Sequence, residues 1–159
     1  MTIPFPSNPT AGDIYVDLAT QITYTFNGTR WVYNLARIDV PITTSLNQYA
    51  TATGTVLLPK GCIIISVEVN KPGWFRLYNS NAAMTADATR LQNVPPRTAA
   101  GVIVDPVFLT AETIDFEPVA LAINRETPVT TTYPYKITNQ GASGSYTITI
   151  THLPIQYSA

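Results

Sequence analysis

The side chains that most often act as catalytic nucleophiles and bases are scarce in this sequence. His152 is the single histidine and Cys62 the single cysteine, so a Ser/His/Asp or Cys/His arrangement would have to use His152. His152 lies in an alternating, strand-like stretch that places it on one face with Tyr146, Ile148 and Ile150, and Cys62 has neither histidine nor lysine next to it. We therefore expect a structural or exposed histidine and a buried, unreactive thiol.

Carboxylates are the second group that could do chemistry. Asp105, Glu112, Asp115 and Glu117 lie close together in the sequence, and paired carboxylates can hydrolyse glycosides or bind calcium. Their spacing matches no calcium-binding loop, and prolines stand beside them. We interpret them as residues of a solvated turn.

No other chemistry is indicated by motif or count. Asp13 and Asp17 are typical of a turn and a strand end. The sequence has no GxGxxG, Walker A or GxSxG motif, which leaves nucleotide binding and hydrolysis without support. One histidine and one cysteine exclude a histidine-based zinc site, a multi-cysteine metal site and an internal disulfide. The sequence thus predicts no catalytic residue, no metal site and no cofactor.

Composition indicates a β protein with little surface charge. Charged residues make up 12% of the 159 residues and the formal net charge is -1, too little to attract nucleic acid or an anionic membrane. Thirteen prolines and nine tyrosines favour strands and turns over helices. We expect no secretory signal at residues 1–10 and no membrane span, because neither pattern is present. Nucleic acid and membranes are therefore not predicted partners, and synthesis in a cytoplasm-like compartment is expected.

The strands that must position any site are centred on residues 61–79, which read GCIIISVEVNKPGWFRLYN. The Pro-Gly break at 71–73 between β-branched and aromatic runs predicts a hairpin. Counting in steps of two places Ile63, Ile65, Val67 and Val69 on one face. A hairpin this apolar needs a second sheet to cover it.

The whole chain divides into three predicted parts. Residues 1–11, with three prolines around Phe5, form an extended arm that we expect a partner chain to hold. Residues 12–35 form a small three-stranded β-meander with a looser turn at 18–21 and a type I′ turn at Asn27 and Gly28. Residues 36–159 form an antiparallel β-sandwich, jelly-roll-like, with a long loop at 79–100 that contains one helical turn at 84–88. The predicted fold class is mainly β.

Aromatic side chains are dense in the arm and the meander: Phe5, Tyr15, Tyr24, Trp31 and Tyr33. They fit a small internal core, or a face that docks onto a partner, and the two can coexist on opposite faces. Because aromatic residues carry much of the energy of an interface, these five are the predicted docking residues.

Two stretches resemble virion proteins of tailed bacteriophages, those of cyanobacterial phages in particular. Residues 6–17 (PSNPTAGDIYVD) and 24–32 (YTFNGTRWV) are similar to a short G-D-x-Y-x-D and N-G-T-x-W-V module near the ends of fibre and other structural proteins. Residues 73–78 (GWFRLY), 85–90 (TADATR) and 101–103 (GVI) are similar to a β-sandwich domain of such proteins.

The resemblance implies a non-enzymatic structural protein of the virion. It implies a tail, neck or baseplate fibre or adaptor whose N-terminal region binds other virion proteins, and a homotrimer as the assembly. A capsid decoration protein is one alternative. Another is a receptor-binding head in which Trp74 and Tyr78 stack on host surface glycans, although burial of both in the core is the competing interpretation.

Overall fold

The computed structural model describes residues 4–18, 22–34, 36–97 and 99–155. The predicted arm and the predicted turn at 18–21 therefore lie partly outside the described residues. The strands are β1 (Ile14–Asp17), β2 (Ile22–Phe26), β3 (Trp31–Asn34), β4 (Ile38–Leu46), β5 (Thr51–Leu57), β6 (Gly61–Val69), β7 (Gly73–Tyr78), β8 (Val102–Val104), β9 (Val107–Phe108), β10 (Glu112–Ile123), β11 (Thr132–Asn139) and β12 (Gly144–Pro154). One helix, α1 (Asn81–Ala86), follows β7. The predicted mainly β class is confirmed.

The predicted three-stranded sheet is present, with β1, β2 and β3 in antiparallel order. Its second turn differs from the predicted type I′ turn. Only Gly28 has a positive φ, of 94°, and the Asn27 side chain accepts hydrogen bonds from the backbone N–H groups of Thr29 and Arg30 at 3.0 Å. Asparagine thus closes a four-residue loop through its side chain, which removes the need for a left-handed conformation at Asn27.

The remaining strands form two sheets packed face to face. One has the order β10-β6-β12-β4, and the other the order β5-β11-β7-β8, with β9 continuing β8 along β7. If these strands are lettered B to I in chain order, with β8 and β9 together as F, the sheets read G-D-I-B and C-H-E-F. This is the strand order of a jelly roll, so the predicted sandwich is confirmed.

The predicted central hairpin is wrong. β6 pairs with β10 and β12, whereas β7 pairs with β11, β8 and β9, so the break at 71–73 carries the chain from one sheet to the other. Gly73 is required at this corner, because a Cβ there would overlap the Tyr146 hydroxyl. A Pro-Gly break between two apolar strands fits a hairpin and a change of sheet equally well.

The predicted faces of β6 also need correction. The inward residues begin as Cys62 and Ile64 and continue as Val67 and Val69, all at most 2% exposed. The register against β12 shifts after Ile64, so Ile65 is an extra residue in the ladder. A β-bulge of this kind moves every later side chain to the opposite face. Counting in steps of two cannot detect it.

The core lies between the two sheets. In β12 the predicted alternation holds, since Tyr146, Ile148, Ile150 and His152 are buried at 1% exposure or less. Large side chains from the second sheet meet them: Phe75, Leu77, Tyr133 and Ile137.

The long segment between β7 and β8 was predicted as a loop with a helical turn at 84–88. Its helix lies slightly earlier, over α1, and begins at Ser80, whose side chain accepts a hydrogen bond from the Ala83 backbone N–H. An N-cap serine of this kind satisfies a free donor of the first turn. The residues after α1 extend over the outer face of β7 and carry the polar contacts described below.

Candidate functional site

The structure places both residues that might have formed a nucleophilic pair inside the sandwich. His152 is 1% exposed, and neither ring nitrogen has a hydrogen-bond partner among the residues that the structure describes. Burial lowers its pKa to about 4, and the nearby Ile38 backbone and Asp39 carboxylate oppose that shift only in part. Cys62 is fully buried, and burial raises the pKa of its thiol to about 12. A neutral histidine and a protonated thiol without access to solvent are packing residues.

The acidic residues do not converge. Asp105 accepts a hydrogen bond from Trp74, whereas Glu112 accepts hydrogen bonds from the backbone of Leu109 and Thr110. Asp115 and Glu117 are exposed on β10. Asp13 accepts a hydrogen bond from the Thr10 backbone and Asp17 ends β1, as predicted for a turn and a strand end. In the parts of the chain that are described, no three histidine, cysteine or carboxylate side chains lie close enough to hold a metal ion.

Four of the five predicted docking aromatics pack against one another on one face of the three-stranded sheet. The Phe5 ring stacks on Trp31 with 5.2 Å between centroids and an angle of 8°, and meets Tyr15 and Tyr24 edge-on at 5.3 and 5.1 Å. Tyr24 is 3% exposed. Tyr33 contacts Tyr24 at 6.5 Å but is itself 51% exposed. Phe5 thus packs the arm onto the three-stranded sheet of its own chain, whereas the expectation was that a partner chain holds it.

The opposite face of this sheet is open and carries three aliphatic side chains beside the threonines of β2. Ile14, Val16 and Val32 are 68%, 44% and 38% exposed, and the strand register places Ile14 and Val32 on either side of Thr25. A small sheet with an apolar side chain on both faces normally buries each of them. The exposed face, which we call the open face, is therefore the surface of the N-terminal region that has no cover within the described chain.

Neither predicted glycan-stacking residue has a ring open to a sugar. Trp74 is 6% exposed, and the Arg76 guanidinium covers its ring at 3.6 Å from the centroid. Tyr78 is fully buried and donates a 2.8 Å hydrogen bond to Asp87. The two residues do share a strand face, as predicted, but the segment after α1 covers that face.

Asp87 and Arg90 fasten this covering segment. Arg90 forms a salt bridge of 2.6 Å with Asp87 and one of 2.8 Å with Asp105, and Trp74 donates a 2.6 Å hydrogen bond to Asp105. Burial would raise the pKa of Asp87, but hydrogen bonds from Arg90 and Tyr78 outweigh it and hold that pKa below its usual range. The TADATR motif thus contributes a buried ion pair that holds a loop, rather than a catalytic group.

No family model, curated protein or solved structure matches the chain. Within the described residues, no helix is long and apolar enough to cross a membrane.

Two sets of residues were missed in the sequence. The open face was not predicted, because the aromatic residues of the opposite face are the more conspicuous pattern. The sequence does contain a signal for it, since Ile14 and Val16 on either side of Tyr15 make β1 apolar on both faces. The second set is a pair of buried cations, Arg76 and Lys136, at 3% and 8% exposure. Arg76 stands between two aromatic residues on one strand face, and an arginine in that pattern is a usable signal for a buried charge.

Proposed function

We propose that this chain is a non-enzymatic structural protein of a bacteriophage virion, a fibre or adaptor component of the tail, neck or baseplate that binds other virion proteins through its N-terminal region. The observation that carries the proposal is the three-stranded sheet, which has one face closed by Phe5 of its own arm and the other left open. Jelly rolls are common among virion and lectin domains, but a fold by itself does not assign a function.

The two faces have different roles in this proposal. The aromatic face, with Phe5 stacked on Trp31, fixes the arm against the sheet and so fixes the shape of the docking module. The open face of Ile14, Val16 and Val32 meets the neighbouring virion protein. Tyr33 pairs with Tyr24 across β2 and β3, so it lies on the aromatic face and is not part of this contact. Burial of aliphatic side chains stabilises an interface by about 25 cal/mol for each Å² removed from water.

The test is incorporation into particles of the phage that carries the gene. Val16→Lys places a charge on the open face, and we expect it to lower the number of copies per particle by at least tenfold, measured by quantitative mass spectrometry of purified virions. Leu121→Lys is the matched control, because Leu121 is 57% exposed on the sandwich. Circular dichroism of both purified variants checks that the fold is retained.

Trp31→Ala examines the aromatic face separately. It removes the ring on which Phe5 stacks, so we expect weaker incorporation while the sandwich stays folded. Absence of the wild-type chain from purified particles would refute the proposed function, and normal incorporation of Val16→Lys would refute the open face as the docking surface. Antibody labelling in electron microscopy then separates a tail, neck or baseplate position from that of a capsid decoration protein.

The proposed assembly is a homotrimer. Light scattering of the full chain at several concentrations measures this directly. A stable trimer supports a fibre, whereas a monomer at all concentrations favours an adaptor or decoration protein that is ordered by the particle.

A further inference from the structure

A pair of like-charged side chains lies on the outer face of the sheet β5-β11-β7-β8. Arg76 on β7 and Lys136 on β11 are directly opposite each other in the antiparallel register, and both side chains are more than nine-tenths buried. Like charges at directly opposite positions destabilise a sheet. Buried charges are normally compensated by a partner of opposite sign.

The carboxylates of the chain do not supply that partner. Asp87 and Asp105 are near enough to favour the charged form of Arg76, but each forms its salt bridge with Arg90. Within the residues that the structure covers, neither Arg76 nor Lys136 forms a salt bridge. The group of three cations and two carboxylates therefore keeps one uncompensated positive charge.

Within the described residues, most of the hydrogen-bond donors of the two cations also have no protein partner, and Arg76 Nε is buried without one. An arginine carries five N–H donors and a lysine ammonium three. Arg76 donates from Nη2 to Thr138 Oγ1 at 3.3 Å, and Lys136 donates from Nζ to the Met84 carbonyl at 3.2 Å. The Trp74 ring covers one face of the guanidinium, and the N–H donors point outward in the guanidinium plane. Burial lowers the pKa of both cations, and the charge of Arg76 lowers that of Lys136 further.

A surface depression of about 390 Å³ opens over this pair. Its lining contains the two cations together with Arg90 and the polar side chains of Thr51, Gln92 and Thr138, and it contains no carboxylate. Thr51 and Thr138 share a 2.9 Å hydrogen bond, and Gln140 donates to Gln92 at the rim. Hydroxyl, amide and cationic donors without an acidic residue are the donor set of an anion site.

We propose that this depression binds a small oxyanion, a carboxylate, sulfate or phosphate group, between Arg76 and Lys136. The anion compensates the remaining positive charge of the three cations and two carboxylates and accepts hydrogen bonds from the donors that have no protein partner. The buried Trp74 ring provides no stacking surface, so the recognised group is the anion itself, whether it is free or carried by a larger molecule such as an acidic sugar.

The test is a titration of the full ¹⁵N-labelled chain with sodium sulfate, phosphate or acetate against sodium chloride at constant ionic strength, followed by NMR. The reporter is the Trp74 indole N–H, distinguished from that of Trp31 by a Trp31→Phe variant. We expect a saturable shift with at least one oxyanion. Lys136→Gln is expected to weaken the apparent affinity at least tenfold, and Lys60→Gln, at an exposed lysine outside the depression, to leave it unchanged.

Thr138→Ala provides a second variant in case Lys136→Gln perturbs the fold, and we expect at least a threefold loss of affinity from it. A glucuronate arm separates the two sources of the anion. Tighter binding of glucuronate than of acetate indicates a sugar-borne carboxylate, and equal binding indicates the oxyanion alone. Shifts that do not saturate with any oxyanion, or saturable shifts that survive both Lys136→Gln and Thr138→Ala, would overturn the proposal.

Discussion

His152 should make the stability of the sandwich depend on pH in a window where most other groups do not titrate. In the unfolded chain the imidazole takes up a proton as the pH falls below its ordinary pKa of 6.5, whereas in the folded chain burial delays protonation to about pH 4. The folded state therefore binds fewer protons between these values. The contribution of neutral His152 to the stability of the folded state is therefore fully present above pH 6.5 and is lost as the pH falls toward 4.

The size of the effect follows from the two pKa values. With one pKa unit equal to about 1.36 kcal/mol, a shift from 6.5 to about 4 corresponds to roughly 3 kcal/mol over the whole window. Between pH 7 and pH 5 the expected loss is about 2 kcal/mol. Asp87, whose pKa is held below its ordinary value of 3.8, adds a loss only at lower pH, where its carboxylate becomes protonated.

Urea unfolding at pH 7, 6 and 5 measures this directly, and His152→Leu is the variant that should flatten the profile. The wild-type free energy of unfolding should fall by about 2 kcal/mol across this range, and that of His152→Leu by much less. Because the chain has a single histidine, its ring proton resonance is assigned without ambiguity. A resonance that titrates near pH 6.5 in the folded protein would refute the reasoning.

Two further variants examine contacts that hold the sandwich together. Arg90→Ala leaves Asp87 without its counter-charge, so we expect the free energy of unfolding, measured with denaturant, to fall by about 3 kcal/mol. Arg97→Ala is the control, because Arg97 is an exposed arginine of the same segment. It should change the free energy of unfolding by less than about 0.5 kcal/mol. A loss of similar size in both variants would contradict the role of the ion pair. Gly73→Ala places a Cβ against the Tyr146 hydroxyl and should cost about 1–3 kcal/mol, and adding Tyr146→Phe should restore part of this. No recovery in the double variant would mean that overlap with the Thr138 carbonyl or the Tyr146 ring, rather than with the hydroxyl, causes the loss.

Local patterns in the sequence predicted the strands well. β12 is an example, because the alternation from Tyr146 to His152 depends only on which residues face the core. The fold class followed from such strands and from the turns between them. The burial of Cys62 was also predictable, because a lone cysteine between apolar residues usually packs as a small hydrophobic side chain.

Contacts between distant segments were not predictable in the same way. The sequence around 71–73 shows that the chain turns but not that it changes sheets, and the bulge at Ile65 has no local signature. The packing of Phe5 on Trp31 depends on how the arm returns to the sheet. The opposition of Arg76 and Lys136 depends on the pairing of β7 with β11, which are separated in sequence by three other strands.

The position of β12 between β4 and β6 has a consequence for how the chain can fold. The hydrogen bond from Thr151 to Asp39 joins residues 112 positions apart, so the first strand of the sandwich has to wait for the last one to be synthesised. Until then β4 and β6 both have an unpaired edge, and open edges of this kind promote aggregation. Folding dominated by such distant pairings takes milliseconds to seconds. A chain that stops before β12 should therefore accumulate as aggregate rather than as a smaller folded protein.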